Sequence, residues 1–240
     1  MTKSKIPSIF ALFLLLITLI SIIFAVKEFQ FFTSSAQTTS RPQDVKLTNI
    51  KDDSFTVTWL TDIPSIGFIE YSNSAGTTAR TPPTSNTRTH LVRISDLNPG
   101  NSYSFRINSN GIFFINTSTP WVVQTASTKI ATSGSFIAGR VLNKNGFPAK
   151  NALVYVDTGF TTFSTTVAES GNWVLSLPAL PDSTVLQILV ENSPTLIAVA
   201  KVDIQGANPV PTIILGNSYD FRNQPEKYIE ESPQVSIELP

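Results

Sequence analysis

Hydrophobic and polar positions follow two different patterns along this chain. From Ile6 to Val26 no residue is charged and Ile, Leu and Phe dominate, with Lys3 and Lys5 before the run and Lys27 and Glu28 closing it. At about 1.5 Å of rise per residue such a run spans roughly 30 Å as a helix, the hydrocarbon thickness of a bilayer. Residues 6–26 are therefore predicted as one transmembrane signal anchor. Pro7 sits in its first turn, where a missing N–H does no harm. Ser8, Thr18 and Ser21 can return their hydroxyl bonds to the helix itself. The competing reading is a cleaved signal peptide, with Ser34-Ser35-Ala36 as a small-residue site; such peptides have shorter apolar runs, about 7–15 residues. Lys3 and Lys5 favour a cytoplasmic N-terminus at 1–5, with the bulk of the chain outside the cell membrane. Residues 27–41, ending in the polar stretch Thr33 to Arg41, read as a linker.

Beyond the linker the period changes to two, and no stretch sustains a helical repeat. Thr, Ser, Val and Ile alternate in short runs broken by Pro, Gly and Asn, as an all-β chain requires. The first β region covers 42–128. Val45, Leu47 and Ile50 mark one strand; Phe55, Val57 and Trp59 alternate with Thr56, Thr58 and Leu60, which predicts a second strand with one buried face. Ile66–Tyr71, Thr89–Ile94 and a strand carrying Tyr103, Phe105 and Ile107 follow. Residues 129–134 read as a short linker. The second β region covers 135–216, with Asn143-Lys144-Asn145-Gly146 as a tight hairpin turn and Val141, Pro148, Ala152, Val154 and Val156 as inward positions. A turn at Ser170-Gly171-Asn172 feeds a strand from Trp173 to Leu177, and further strands lie at Val185–Val190, Leu196–Ile204 and Thr212–Leu215. Residues 217–240 have no regular period; Pro225, Pro233 and Pro240 punctuate them, and they read as a disordered acidic tail. A strand around Gln234 to Leu239 that binds a partner is the alternative.

Two resemblances sharpen this picture. DVKLTNIKDDSFTVTWLTD, then GFIEYS, then LNPGNSYSFRI resemble a fibronectin type III domain. Trp59 matches that family's core Trp, and Leu97, Pro99, Gly100 and Tyr103 match its corner, in which the Tyr hydroxyl returns to upstream backbone. VTWLTDIPSIGFIEYS is also similar to the variant that precedes the catalytic domain of purple acid phosphatases, but the metal-binding domain of those enzymes has no counterpart here. In the second region Gly139, Val141, Gly146, Pro148, Ala152, Val154, Gly171 and Trp173 stand at marker positions that resemble the carboxypeptidase regulatory-like, prealbumin-type sandwich. That family implies a structural module without catalytic residues. The fold class expected is all-β, two tandem β-sandwiches (fibronectin type III or immunoglobulin-like, then prealbumin-like) behind one N-terminal transmembrane helix.

Composition narrows the chemistry. Lys+Arg and Asp+Glu number 17 each among 240 residues, so no basic surplus exists to hold nucleic acid. The chain has no Cys and one His, which excludes disulfides, thiol nucleophiles and a multi-His metal site. His90, on a predicted strand, reads as structural. Asp52-Asp53 reads as an acidic turn, because a hard-cation site needs more oxygens from a patterned loop. Asn116-Thr117-Ser118 fits a glycosylation sequon, usable only in a eukaryotic secretory pathway. Phe113, Phe114, Trp121, Phe160 and Phe163 could form an aromatic platform, although core packing claims most such residues. No catalytic, cofactor or metal residues are assigned, no cofactor is expected, and the chain is not expected to be an enzyme. The function expected is that of a membrane-anchored, cell-surface adhesion or scaffolding protein, its partners the membrane and envelope proteins or polysaccharide. The alternative is a carbohydrate-binding or accessory module for an envelope hydrolase encoded elsewhere.

Overall fold

The structure is a computed structural model that describes residues 39–128, 134 and 136–222. The predicted anchor at 6–26 and most of the predicted tail lie outside the described residues. Among the described residues no helix is long and apolar enough to cross a membrane.

Among the described residues sixteen strands build two sandwiches. The first contains β1 (Gln43–Thr48), β2 (Phe55–Ser65), β3 (Gly67–Asn73), β4 (Thr78–Arg80), β5 (Thr87–Ile94), β6 (Ser102–Ser109), β7 (Ile112–Phe114) and β8 (Trp121–Gln124). One sheet has the order β1-β2-β5; the other runs β4-β3-β6-β7, with β8 also paired to β6. The second contains β9 (Phe136–Leu142), β10 (Leu153–Asp157), β11 (Thr162–Thr166), β12 (Asn172–Ser176), β13 (Val185–Ser193), β14 (Leu196–Asp203), β15 (Val210–Ile214) and β16 (Ser218–Asp220). Its sheets are β12-β9-β15 and β11-β10-β13-β14-β16.

Alternation decides what each sandwich buries. Phe55, Val57, Trp59, Ile69, Tyr103, Phe105 and Ile107 point inward and form the first core. Ile137, Val141, Val154, Val156, Trp173, Ile188 and Val190 belong to the second. In both cores the Trp ring packs close against a glycine backbone. A Cβ on Gly67 would sit 2.7 Å from Trp59 Cζ2, and one on Gly139 would sit 3.0 Å from Trp173 Cζ2. Both sandwiches also hold a tyrosine corner. The Asn98 N–H donates to the Tyr103 hydroxyl at 2.9 Å, and the Ile214 N–H donates to the Tyr219 hydroxyl at 3.0 Å. Gly100 and Gly216 precede these tyrosines with φ of +69° and +88°, a left-handed turn that suits glycine.

Four sequence expectations change. Residues 217–221 are not the start of an irregular tail: β16 pairs in parallel with β14, and Tyr219 and Phe221 pack against the second core. Pro148 is exposed and Ala149 takes the inward place, because the turn returns through an isolated bridge between Leu142 and Pro148. Gly146 does supply the positive φ of that turn, yet β9 and β10 do not pair as a hairpin; they enter opposite sheets. Finally, β2 has two buried faces where one was expected. Thr56, Thr58 and Leu60, on the side away from the first core, are at most 2% exposed. The cover on that side is the second sandwich.

Candidate functional site

The two sandwiches meet along the outer faces of β1-β2-β5 and of the five-stranded sheet. Leu60, Leu153 and Tyr155 form a small separate core there, with Leu91 and Leu189 packed against it. Polar clamps surround it. The Tyr155 hydroxyl donates to Thr58 Oγ1 at 2.9 Å, Thr48 and Ser164 share a 2.6 Å hydroxyl bond, and the Thr89 hydroxyl donates to the Asn151 carbonyl at 2.7 Å. Asn49 behaves like an extra strand residue beside β11. Its amide donates to the Ser164 carbonyl at 3.0 Å and accepts from the Ser164 N–H at 3.0 Å, while its own N–H donates to the Thr162 carbonyl at 3.1 Å. Its φ of +50° is one that Asn tolerates better than most residues.

Next to this junction opens a cleft of about 770 Å³, floored by the outer face of the five-stranded sheet, with Lys46 reaching in from the first sandwich. Register sets the floor. One cross-strand row reads Thr162, Asp157, Gln187, Lys201, Asp220; the next reads Ser164, Tyr155, Leu189, Val199, Ser218. The first row is polar throughout, and the second carries the apolar centre. A polar row and an apolar centre thus lie side by side on the floor of the cleft.

Lys46 ties the site together. Its ammonium lies 3.0 Å from both Glu191 oxygens, touches Asp44, and stands 4.7 Å above the Tyr155 ring. Burial, joined by the neighbouring Asp44 carboxylate, pushes Glu191 up to about 7 despite the ammonium. Partial burial works against ionisation of Asp44 too, but its hydrogen bond to Glu191 and the Lys46 charge hold it below the usual carboxylate range. Glu191 therefore holds its proton more readily than a free carboxyl, and Asp44 less readily. Burial drives the Tyr155 phenol well above its ordinary value, so it stays a neutral donor.

His90 is the other cluster with the ingredients of chemistry. Its Nε2 lies 3.1 Å from Ser65 Oγ and its Nδ1 lies 3.0 Å from Thr84 Oγ1. The ring stacks on Trp59 at 4.6 Å and 5°. A Ser–His pair at this distance is the geometry of an activated nucleophile. Here Ser65 is 0% and His90 1% exposed, so no substrate can reach them. A Thr hydroxyl also stands where an orienting carboxylate would be needed. Burial pushes the imidazole down to about 4, which keeps it neutral inside the sandwich.

The remaining sequence candidates do not converge. Phe163 is buried in the second core, Trp121 stacks on Phe105 at 5.6 Å, and Phe160 stands alone on a turn, 87% exposed. Phe113 meets Phe68 edge-on at 5.8 Å with the Arg106 guanidinium 4.0 Å above it, and Phe114 is half-buried at the end of β7. Together they make no shared platform. Asp53 accepts a hydrogen bond from the adjacent Ser54 hydroxyl, and among the described residues no group of three or more His, Asp or Glu could hold a metal. Asn116 lies exposed in the turn between β7 and β8. Sequence reasoning missed Asn49, Lys46, Tyr155 and Glu191. Only the buried alternation of Leu153 and Tyr155 with Val154 and Val156, four apolar residues in a row, hinted at a strand covered on both sides.

No curated protein matches the chain. Among solved structures it is similar to the FN5 domain of Drosophila Lar, 20% identical over 35% of this chain and 94% of that one with a TM-score of 0.28. It is similar as well to a segment of two fibronectin type III domains from chicken tenascin, 11% identical over 68% and 98% with a TM-score of 0.26. Chicken CNTN1 FN1–FN3 domains are 16% identical over 75% and 67%, with a TM-score of 0.27. The family model of the fibronectin type III domain matches residues 40–124, the span that holds the Trp59 core and the Tyr103 corner. The first sandwich, residues 40–124, is a fibronectin type III domain.

Proposed function

We propose that this chain is a membrane-anchored surface protein whose two β-sandwiches act as one non-catalytic adhesion or scaffolding unit. The observation that carries this reading is the junction. Leu60, Leu153 and Tyr155 are buried between the sandwiches, and clamps on both sides of them set one relative orientation. A spacer or scaffold needs such a joint, because an open linker would leave the modules free to turn. The second sandwich is read as a carboxypeptidase regulatory-like module, on Gly139, Trp173 and Gly171 at its marker positions. The charge-free run 6–26 supports a single-pass anchor with residues 1–5 in the cytoplasm and the sandwiches outside. Envelope proteins or polysaccharide are the partners this placement favours.

Two measurements test it. Carbonate extraction should leave the intact chain in membranes, and external protease should digest the sandwiches on whole cells or spheroplasts. A mature N-terminus at Gln37 would show that the anchor is removed. Pull-down with the full chain should then retain envelope protein in preference to purified polysaccharide; the opposite preference would favour the carbohydrate-accessory reading.

A further inference from the structure

The first sandwich turns the outer face of its β4-β3-β6-β7 sheet away from both its core and the junction. Register sets the rows of that face. Phe68, Asn108 and Phe113 stand in one row, Arg80, Glu70 and Arg106 in the next, and Ser72, Ser104 and Val122 in the third. Phe113 is 40% and Val122 63% exposed, and Ile66 and Ile115, just outside β3 and β7, are 49% and 39% exposed. An apolar surface gathered on one sheet marks contact with another molecule.

Charge is placed on this face as unevenly. Residues 66–86 and 101–124 contain three charged side chains, Arg80, Arg106 and Glu70. The Arg106 guanidinium lies 4.0 Å above the Phe113 ring, and its Nε donates to Glu70 Oε1 at 2.8 Å. The Arg80 guanidinium lies 5.7 Å above the Phe68 ring and makes no ion pair among the described residues. Arg80 stands opposite Glu70 in register, yet Arg106 holds that carboxylate. Stacking on a ring orients a guanidinium and leaves its N–H fork free for a carboxylate. Arginines and aromatic rings are also the side chains that dominate binding energy in protein interfaces.

These contacts discriminate between occupants. A polysaccharide would lay a sugar on a flat ring, but Phe68 and Phe113 stand at 89° to each other, 5.8 Å apart. Arg106 already covers one face of Phe113. A second copy would bring the same arginine surplus against itself, which like-charge repulsion opposes. A protein segment with an apolar side chain beside a carboxylate meets both the rings and the free fork.

We infer that the outer face of β4-β3-β6-β7 is the docking surface for an acidic protein segment. The segment sets an apolar side chain against Phe68 and Phe113 and a carboxylate on Arg80. This partner rests on the adhesion reading and gives it a chemistry.

Two synthetic peptides, one alternating Val with Glu and one alternating Val with Lys, are titrated against the full chain in nonionic detergent. The Val/Glu peptide should bind and the Val/Lys peptide should not. Arg80→Gln and Phe113→Ser should each weaken binding about tenfold. Arg80→Lys keeps the charge but loses the fork, so it should recover only part of the affinity. Arg140→Gln, an exposed cation on β9 of the second sandwich, should bind as the unaltered chain does. Should Phe113→Ser lower the melting temperature, Arg80→Gln, exposed at the surface, carries the test alone. Equal binding of the two peptides, no binding of the Val/Glu peptide, or full affinity in Arg80→Gln overturns the proposal. Tighter binding of polygalacturonate that Arg80→Gln weakens also overturns it and assigns the face to an acidic polysaccharide. A dimer that Arg80→Gln dissociates overturns it in favour of a second copy. Envelope protein retained equally by the full chain and by Arg80→Gln overturns this face as the site, while the adhesion reading stands.

Discussion

The two sandwiches share their internal devices and differ in what they ask of each other. In each, a Trp covers a glycine backbone, and a Tyr hydroxyl five residues downstream of a backbone N–H closes a corner. The second sandwich keeps its shorter sheet, β12-β9-β15, as an outer face carrying Val174 at 57% exposure. In the first sandwich the corresponding three-stranded sheet has given up its outer face, so that β2 is buried on both sides. The first sandwich also hides its only imidazole, while the junction buries the Glu191 carboxylate beside the Lys46 ammonium. Similar cores therefore do not imply similar independence: the outward residues of β2 and β10 make the sandwiches a pair.

The largest effect should come from the shared device. Trp59→Ala and Trp173→Ala each should cost about 3–5 kcal/mol, a large part of what a domain has. In denaturation of the full chain both should shift one common transition. Two transitions, each answering to its own Trp, would return the molecule to independent domains.

Acid separates core from junction. Between pH 6.5 and about 4 an unfolded imidazole takes a proton that buried His90 refuses. Stability should therefore fall as pH drops through that window, by about 3 kcal/mol once it is crossed. Glu191 has the opposite sign: raised to about 7, it binds a proton in the folded state that the unfolded chain has released above 4.5, so its contribution falls as pH rises from 4.5 to 7. Asp44, held low by Glu191 and Lys46, acts only below its ordinary value of 3.8. Unfolding followed against pH should lose the acid slope in His90→Gln and the neutral slope in Glu191→Gln. Were Glu191→Gln to leave the profile unchanged, burial at the junction would not raise this carboxyl.

Leu60→Ala tests the pairing itself. In a first sandwich that stands alone Leu60 would face water and its loss would cost almost nothing. Buried at 1% exposure against Leu153 and Tyr155, it should cost about 2 kcal/mol in a chemical melt of the full chain.

The smallest effect sharpens the internal likeness. Tyr103→Phe and Tyr219→Phe keep the ring but leave the Asn98 or Ile214 N–H without its acceptor, a loss of about 1–3 kcal/mol each, with the lower end expected at these corners. Comparable drops in melting temperature would establish two equivalent corners. A drop for Tyr103 alone would make the second one incidental.

Much of this molecule was legible in its residues, for a local reason. A strand buried on one side writes its inward face as every second residue, so Phe55-Val57-Trp59 and Tyr103-Phe105-Ile107 declared the first core, and Trp173 the second. The Leu97-to-Tyr103 corner was readable because a turn and its acceptor lie within a few residues. The same tetrapeptide, Gly-Asn-Ser-Tyr, stands at 100–103 and again at 216–219; the acidic, Pro-punctuated stretch after it concealed the second corner and with it β16. The absence of Cys and the single His likewise bounded the chemistry before any fold was known. What only the tertiary structure decided is which outward faces stay outward. Thr58, Leu60, Asn49 and Lys46 look like ordinary surface positions in the first region, and Tyr155, Ser164 and Glu191 are more than 90 residues away from them. Their contacts depend on the relative placement of two sheets, which no local period encodes, and the cleft beside them follows from that placement alone.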